Sequence, residues 1–247
     1  MLPTLVYFHG GAGLFGSPDS FDPRHRALLE GAGFAVISAD YPKAIGRTLH
    51  DVVASAAETV KRVAAVSPTG SVVVMGHSFG GYLTLWLAAT QPNVARAVAL
   101  AGYADLLAPF YTEPSAHYLA VKDLTGFRPE SVNADSPSGE KFDLYLHLRQ
   151  TATWPDYVSR GDPASLEAIS PLRLPPPSTP ILFVHGETDT DVPYTASVAY
   201  YEHIADASPE SGLILHPTGG HGLMFDMDNP EVMAIWDKVL AFCAADA

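Results

Sequence analysis

The apolar run Ser71-Val72-Val73-Val74-Met75 passes without a break into Gly76-His77-Ser78-Phe79-Gly80, and a helix-forming stretch over residues 81–89 follows at once. A continuous apolar run of this kind reads as a strand buried on both faces, which is the habit of a parallel sheet covered by helices. The junction leaves space only for a sharp strand-to-helix turn, and its small flanking residues tolerate strained dihedrals and close backbone packing. A serine on such a turn has its hydroxyl pushed out at the sheet edge. The helix start behind it lends backbone N–H groups and a positive dipole end to nearby negative charge.

The rest of the chain repeats this alternation. Residues 5–8, 34–39, 95–100, 181–184 and 213–215 read as further strands, with the apolar start Met1 to Phe8 belonging to the first. Residues 24–30, 49–66, 192–205 and 230–244 read as helices, with Val52, Val53, Ala56, Val60 and Val63 at helical spacing in the second. Strands separated by helices predict an α/β fold: a three-layer α/β/α sandwich around a mostly parallel sheet. Residues 103–178 break the rhythm with many prolines, including Pro175-Pro176-Pro177, and with aromatics throughout. So long a stretch exceeds an ordinary connection. It is expected to be a mostly helical lid inserted into a single domain spanning residues 1–247, with a helix over residues 141–151.

Length and charge narrow the classes. The 247 residues suffice for one large domain with a substantial core. The 27 acidic residues outweigh the 14 basic ones, for a net charge of −13, which argues against nucleic acid and anionic membranes as partners. Cys243 is the only cysteine, so no intramolecular disulfide can form. The first residues lack a basic n-region and a cleavage site, and no apolar run approaches the roughly 20 residues of a membrane span. A cytoplasmic protein is expected.

Serine is a weak nucleophile without help. His221 lies in Thr218-Gly219-Gly220-His221-Gly222, after the last strand, where it can serve as general base and then return the proton to the leaving group. Asp189, in His185-Gly186-Glu187-Thr188-Asp189-Thr190-Asp191, follows a buried strand and can fix the imidazole tautomer. Asp191 and Glu187 are its local rivals and Asp105 a remote one. His9-Gly10-Gly11-Ala12-Gly13 follows the first strand. Its backbone can point an N–H at a developing oxyanion, from Gly11 first or Ala12 second, with the N–H of Phe79 as the other donor. The glycine spacing fits neither a dinucleotide nor a Walker loop, and the scattered histidines form no zinc motif. Tyr103, Phe110, Trp154 and Tyr157 in the insertion are candidate substrate contacts and suggest an apolar or aromatic small-molecule substrate.

With these residues in place, the chain resembles α/β-hydrolases of the esterase/lipase branch that carries a His-Gly-Gly-type oxyanion motif. Three motifs match in the family's order: His9 to Gly13, Gly76 to Gly80, and Asp189 with His221. The resemblance implies a Ser-His-Asp triad, an acyl-enzyme intermediate and no cofactor, and thus hydrolysis of a carboxylic ester or lactone. It also implies a sheet lacking the family's two antiparallel edge strands, so that the strand at residues 5–8 would form a bare edge and a candidate homodimer contact. The His185-to-Asp189 stretch is similar to that of prolyl-oligopeptidase-type hydrolases, which keeps an amidase or peptidase open. An acyl transferase or cyclase using the same triad, and a non-catalytic binding protein on the hydrolase fold, are the other readings.

Overall fold

The computed structural model describes residues 3–245; Met1 and Leu2, read above with the first strand, lie outside them. Six strands form one sheet: β1 (Thr4–Phe8), β2 (Val36–Ala39), β3 (Val72–His77), β4 (Val94–Leu100), β5 (Ile181–Gly186) and β6 (Gly212–His216). Every pairing is parallel, in the order β2-β1-β3-β4-β5-β6.

Both faces of this sheet are dry, because successive side chains of a strand point to opposite sides. Val6, Phe8, Val72, Val74, Ala97, Ala99, Ile181 and Phe183 pack into one core. Their neighbours Leu5, Tyr7, Val73, Met75, Val98, Leu100, Leu182 and Val184 pack into the other. The first core is covered by α2 (Leu49–Val66), α3 (Phe79–Thr90) and α8 (Thr195–Ile204), together with the insertion. The second is covered by α1 (Pro23–Gly31) and α9 (Pro230–Ala244), whose Leu29, Trp236 and Val239 are fully buried. Side-chain caps start these two helices: Asp22 accepts from Arg24 N and Asn229 from Glu231 N.

The edge prediction is corrected. β1 pairs with β2 on one side and β3 on the other, so residues 5–8 lie inside the sheet. The crossover through α1 sets β2 outside β1, and the edges are β2 and β6, whose side chains are mostly half-exposed.

Between β4 and β5 the chain forms four α-helices, α4 (Pro109–Thr112), α5 (Ala116–Val121), α6 (Ser138–Thr151) and α7 (Trp154–Ser159), and three short 3-10 turns. Two long-range bonds tie this insertion to the sheet's upper end. Trp154 Nε1 donates to Ala12 O (3.1 Å), and Tyr82 Oη of α3 donates to Ile169 O (3.0 Å). Among the described residues no helix is long and apolar enough to cross a membrane.

Candidate active site

All the candidate polar residues sit at carboxyl ends of strands, where open α/β sheets place their sites. Ser78 follows β3 with φ 57° and ψ −119°, a conformation that non-glycine residues rarely adopt. The turn is over-determined by its glycines. A Cβ at Gly76 would lie 2.2 Å from Gly80 O, and one at Gly80 would lie 2.0 Å from Phe8 O. The Ser78 N–H donates to Leu100 O (2.8 Å), pinning the turn to the neighbouring strand. Phe79 begins α3, so its N–H has no acceptor within the helix.

Asp189 follows β5 in a turn whose neighbours Glu187, Thr188 and Thr190 are exposed, but its own side chain is fully buried. Its Oδ1 accepts from the backbone N–H groups of Asp191 (2.8 Å) and Val192 (2.9 Å). Its Oδ2 lies 2.7 Å from His221 Nδ1 and 3.1 Å from His185 Nε2. Burial alone would raise this carboxyl, but hydrogen bonds from the two imidazoles hold it well below the usual carboxylate range. His221 follows β6. Burial disfavours its charged form, yet the Asp189 hydrogen bond and the Asp191 charge outweigh this and raise its pKa. His77 Nε2 donates to His221 O at 2.7 Å and steadies that loop. Burial, then the His221 charge, pushes the His77 pKa down to about 3, so this donor is a neutral imidazole at neutral pH.

The glycine loop closes over the serine: a Cβ at Gly10 would lie 3.2 Å from Ser78 Cβ. Gly11 has φ 113° and its carbonyl accepts from Leu14 N and Phe15 N, making the tight turn that Ala12 (φ 52°) continues. His9 is buried beneath this turn, with Nδ1 donating to Gly10 O (2.6 Å) and Nε2 3.2 Å from Asp40.

Ser78, His221, Gly10, Gly11 and Ala12 line one cavity of about 400 Å³. The structure thus brings together the serine, the histidine and the glycine loop, with Asp189 directly behind the histidine. The rivals separate. Asp105 caps Leu107 N, faces Arg173 and does not line this cavity, and Glu187 is exposed. Asp191, however, is in the site: its Oδ2 lies 3.4 Å from His221 Nε2. Among the described residues no hydrogen bond joins Ser78 to His221, and no group of three or more His, Cys, Asp or Glu side chains is arranged to hold a metal ion.

The aromatic expectations differ from the structure. None of Tyr103, Phe110, Trp154 and Tyr157 lines the Ser78 cavity. Tyr103 stacks on Tyr82 and Trp154 on Tyr111 at 3.9 Å, because so aromatic an insertion must first build its own core. Phe110 faces a separate cavity of about 270 Å³, and Tyr157 lies at another surface hollow. The aromatic walls of the Ser78 cavity come from Tyr7, Phe15, Tyr118, Phe142, Tyr145 and Phe225. Tyr145 and Arg149 stand one turn apart on α6, an i, i+4 spacing that could have linked them in the sequence.

A parallel sheet with a serine on a strand-to-helix elbow and an Asp–His pair beyond two later strands defines a protein of the hydrolase-fold class. The chain belongs to the alpha/beta hydrolase family, whose pattern it matches over residues 5–235. It is similar in structure to a protein of unknown function from Staphylococcus aureus subsp. aureus Mu50 (TM-score 0.76, 20% identity, covering 97% of this chain and 88% of that one). An alpha/beta hydrolase superfamily protein from Enterococcus faecalis is also similar (TM-score 0.70, 22% identity, 97% and 89% covered). So is a hyperthermophilic esterase from the archaeon Pyrobaculum calidifontis (TM-score 0.67, 21% identity, 98% and 74% covered). No curated protein matches the chain.

Proposed function

We propose that the protein is a serine hydrolase that cleaves a carboxylic ester or lactone, with Ser78 as nucleophile, His221 as general base and Asp189 as its orienting acid. The observation that carries this reading is the 2.7 Å contact of Asp189 with His221 Nδ1, beside a serine held on a strained elbow in the same cavity. Asp189 fixes the tautomer that leaves Nε2 free to take the Ser78 proton as Oγ attacks the acyl carbon. The charge that develops on the carbonyl oxygen is met by the N–H of Phe79 and that of Gly11 or Ala12, each such donor contributing about 3 kcal/mol. Collapse breaks the bond to the leaving group, which takes the proton from Nε2. Water, deprotonated by the same histidine, then releases the acid. The esterase among the structural neighbours agrees with this chemistry, and the insertion, whose Phe142 and Tyr145 wall the cavity, is proposed to act as its lid.

A fluorophosphonate probe should label Ser78, and Ser78→Ala should abolish hydrolysis of short p-nitrophenyl esters while keeping the native circular dichroism spectrum. A folded Ser78→Ala protein with full activity would sink the mechanism. Matched ester and amide substrates distinguish an esterase from an amidase.

A further inference from the structure

We propose that Asp191 and the aromatic wall beside it form a leaving-group subsite, which selects esters whose alcohol portion carries an ammonium cation; this rests on the hydrolase reading above. Three observations support it. The first is position. The leaving group must lie within reach of His221 Nε2 to receive its proton, and Asp191 Oδ2 is 3.4 Å from that same atom. The second is charge. Among the described residues the cavity lining contains no lysine or arginine, and Asp191 is its only carboxylate. Its partner Arg149 lies behind it: Arg149 Nη1 donates to Oδ1 at 2.6 Å and Tyr145 Oη at 2.5 Å, and the guanidinium is 2% exposed against 15% for Asp191. Oδ2 is therefore the edge turned toward the cavity. The third is the wall. Phe15 meets Phe142 edge-on at 5.5 Å and lies 5.8 Å from Tyr145, and Tyr118 meets Tyr145 at 5.6 Å, so four rings form one connected cluster in the cavity wall, joined to the carboxylate through Tyr145 Oη. Aromatic faces with a carboxylate attract a weakly hydrated ammonium and offer nothing to an anion. The net charge of −13 adds a long-range field of the same sign.

The test uses three thioacetates of similar size, with leaving thiols bearing a trimethylammonium group (acetylthiocholine), its neutral tert-butyl isostere, and a carboxylate (S-acetyl-3-mercaptopropionate). Thiol release gives kcat/KM for each. The expected order is cation above neutral ester by about tenfold, with the anion below the neutral ester by a similar factor. Added salt should lower kcat/KM for the cation, leave the neutral ester unchanged and raise the anion. In Asp191→Asn the preferences should collapse toward one; any effect on His221 itself cancels, because all three substrates share it. Phe142→Leu, at a side chain that is 42% exposed, removes one ring without burying an unpaired charge and should also narrow the cation's advantage. Equal kcat/KM values, or a preference for the anion, overturn the subsite while leaving the hydrolase reading intact. Failure to turn over any thioacetate or p-nitrophenyl ester, with Ser78 unlabelled, overturns both.

Discussion

At the residue scale, the site is defined by what faces the two nitrogens of one imidazole. Asp189 takes Nδ1 and Asp191 approaches Nε2, so protonated His221 sits between two carboxylates. Burial and Arg149 work against the charge, but the carboxylates prevail and the pKa is raised. A general base must be neutral to act, so the acid limb of kcat/KM should fall above the ordinary histidine value of about 6.5. Asp191→Asn removes one of the raising charges, and the limb should then move to lower pH. A limb that stays in place in that variant would separate Asp191 from the base. Of this arrangement, Ser78, Asp189 and His221 were legible in the sequence, because their chemistry comes with glycine or turn spacing that few other roles demand. Asp191 was legible only as a rival to Asp189. Two acids two residues apart can face opposite ends of one ring, and chain spacing carries no information on which end.

At the scale of elements, the six strands and the long helices follow from apolar runs and helical periodicity, and they lie within a few residues of where those patterns put them. The insertion is different. The helix expected over residues 141–151 is present as the longer α6, but α4, α5 and α7 are short and without a readable period, α4 and α7 carrying proline in their first turn. Which of its aromatics reach the cavity depends on how these pieces pack. What locks α6 to the body is electrostatic. Arg149 pairs with Asp191 of the turn after β5 and is surrounded by Phe110, Tyr111, Tyr118 and Tyr145, with its guanidinium carbon 5.1–5.6 Å from their centroids. Removing one member of a buried pair strands the other, at about 3–5 kcal/mol. Arg149→Leu should therefore lower unfolding free energy by about that amount in urea titrations. Combining it with Asp191→Leu should cost less than the sum of the single changes, since neither charge is then left alone. Strict additivity would mean that the pair does not hold α6 in place.

At the scale of the whole molecule, the same burial that creates the dry sheet faces also keeps three histidines neutral. His9 lies under the glycine loop, His77 inside the elbow, and His25 between Phe21, Phe225 and Trp236. Burial lowers the pKa of all three, assisted by the Lys43 charge at His9 and the His221 charge at His77, the latter reaching about 3. The unfolded chain would protonate each near the ordinary value of about 6.5. Between that value and the depressed one, the unfolded state holds more protons, so stability falls as pH falls, by up to about 1.4 kcal/mol per pH unit for each group. His221, with its raised pKa, pulls the other way: its contribution is present at low pH and is lost as pH rises through its folded value. Asp189, held well below the usual range, stays ionised in both states over this window and adds no slope. Partly buried His147, also lowered by burial, adds to the same side; four groups against one give a net loss, and the urea midpoint should drop between about pH 7.5 and about pH 5. His25→Phe isolates one term. Met224 O, which accepts from His25 Nε2 at 2.8 Å, also accepts from Trp236 Nε1 at 3.2 Å, so the substitution leaves that carbonyl bonded and the aromatic packing in place. The variant should fold and show a shallower loss of stability on acidification. An unchanged slope would remove His25 from the account and leave the acid sensitivity to His9, His77 and His147.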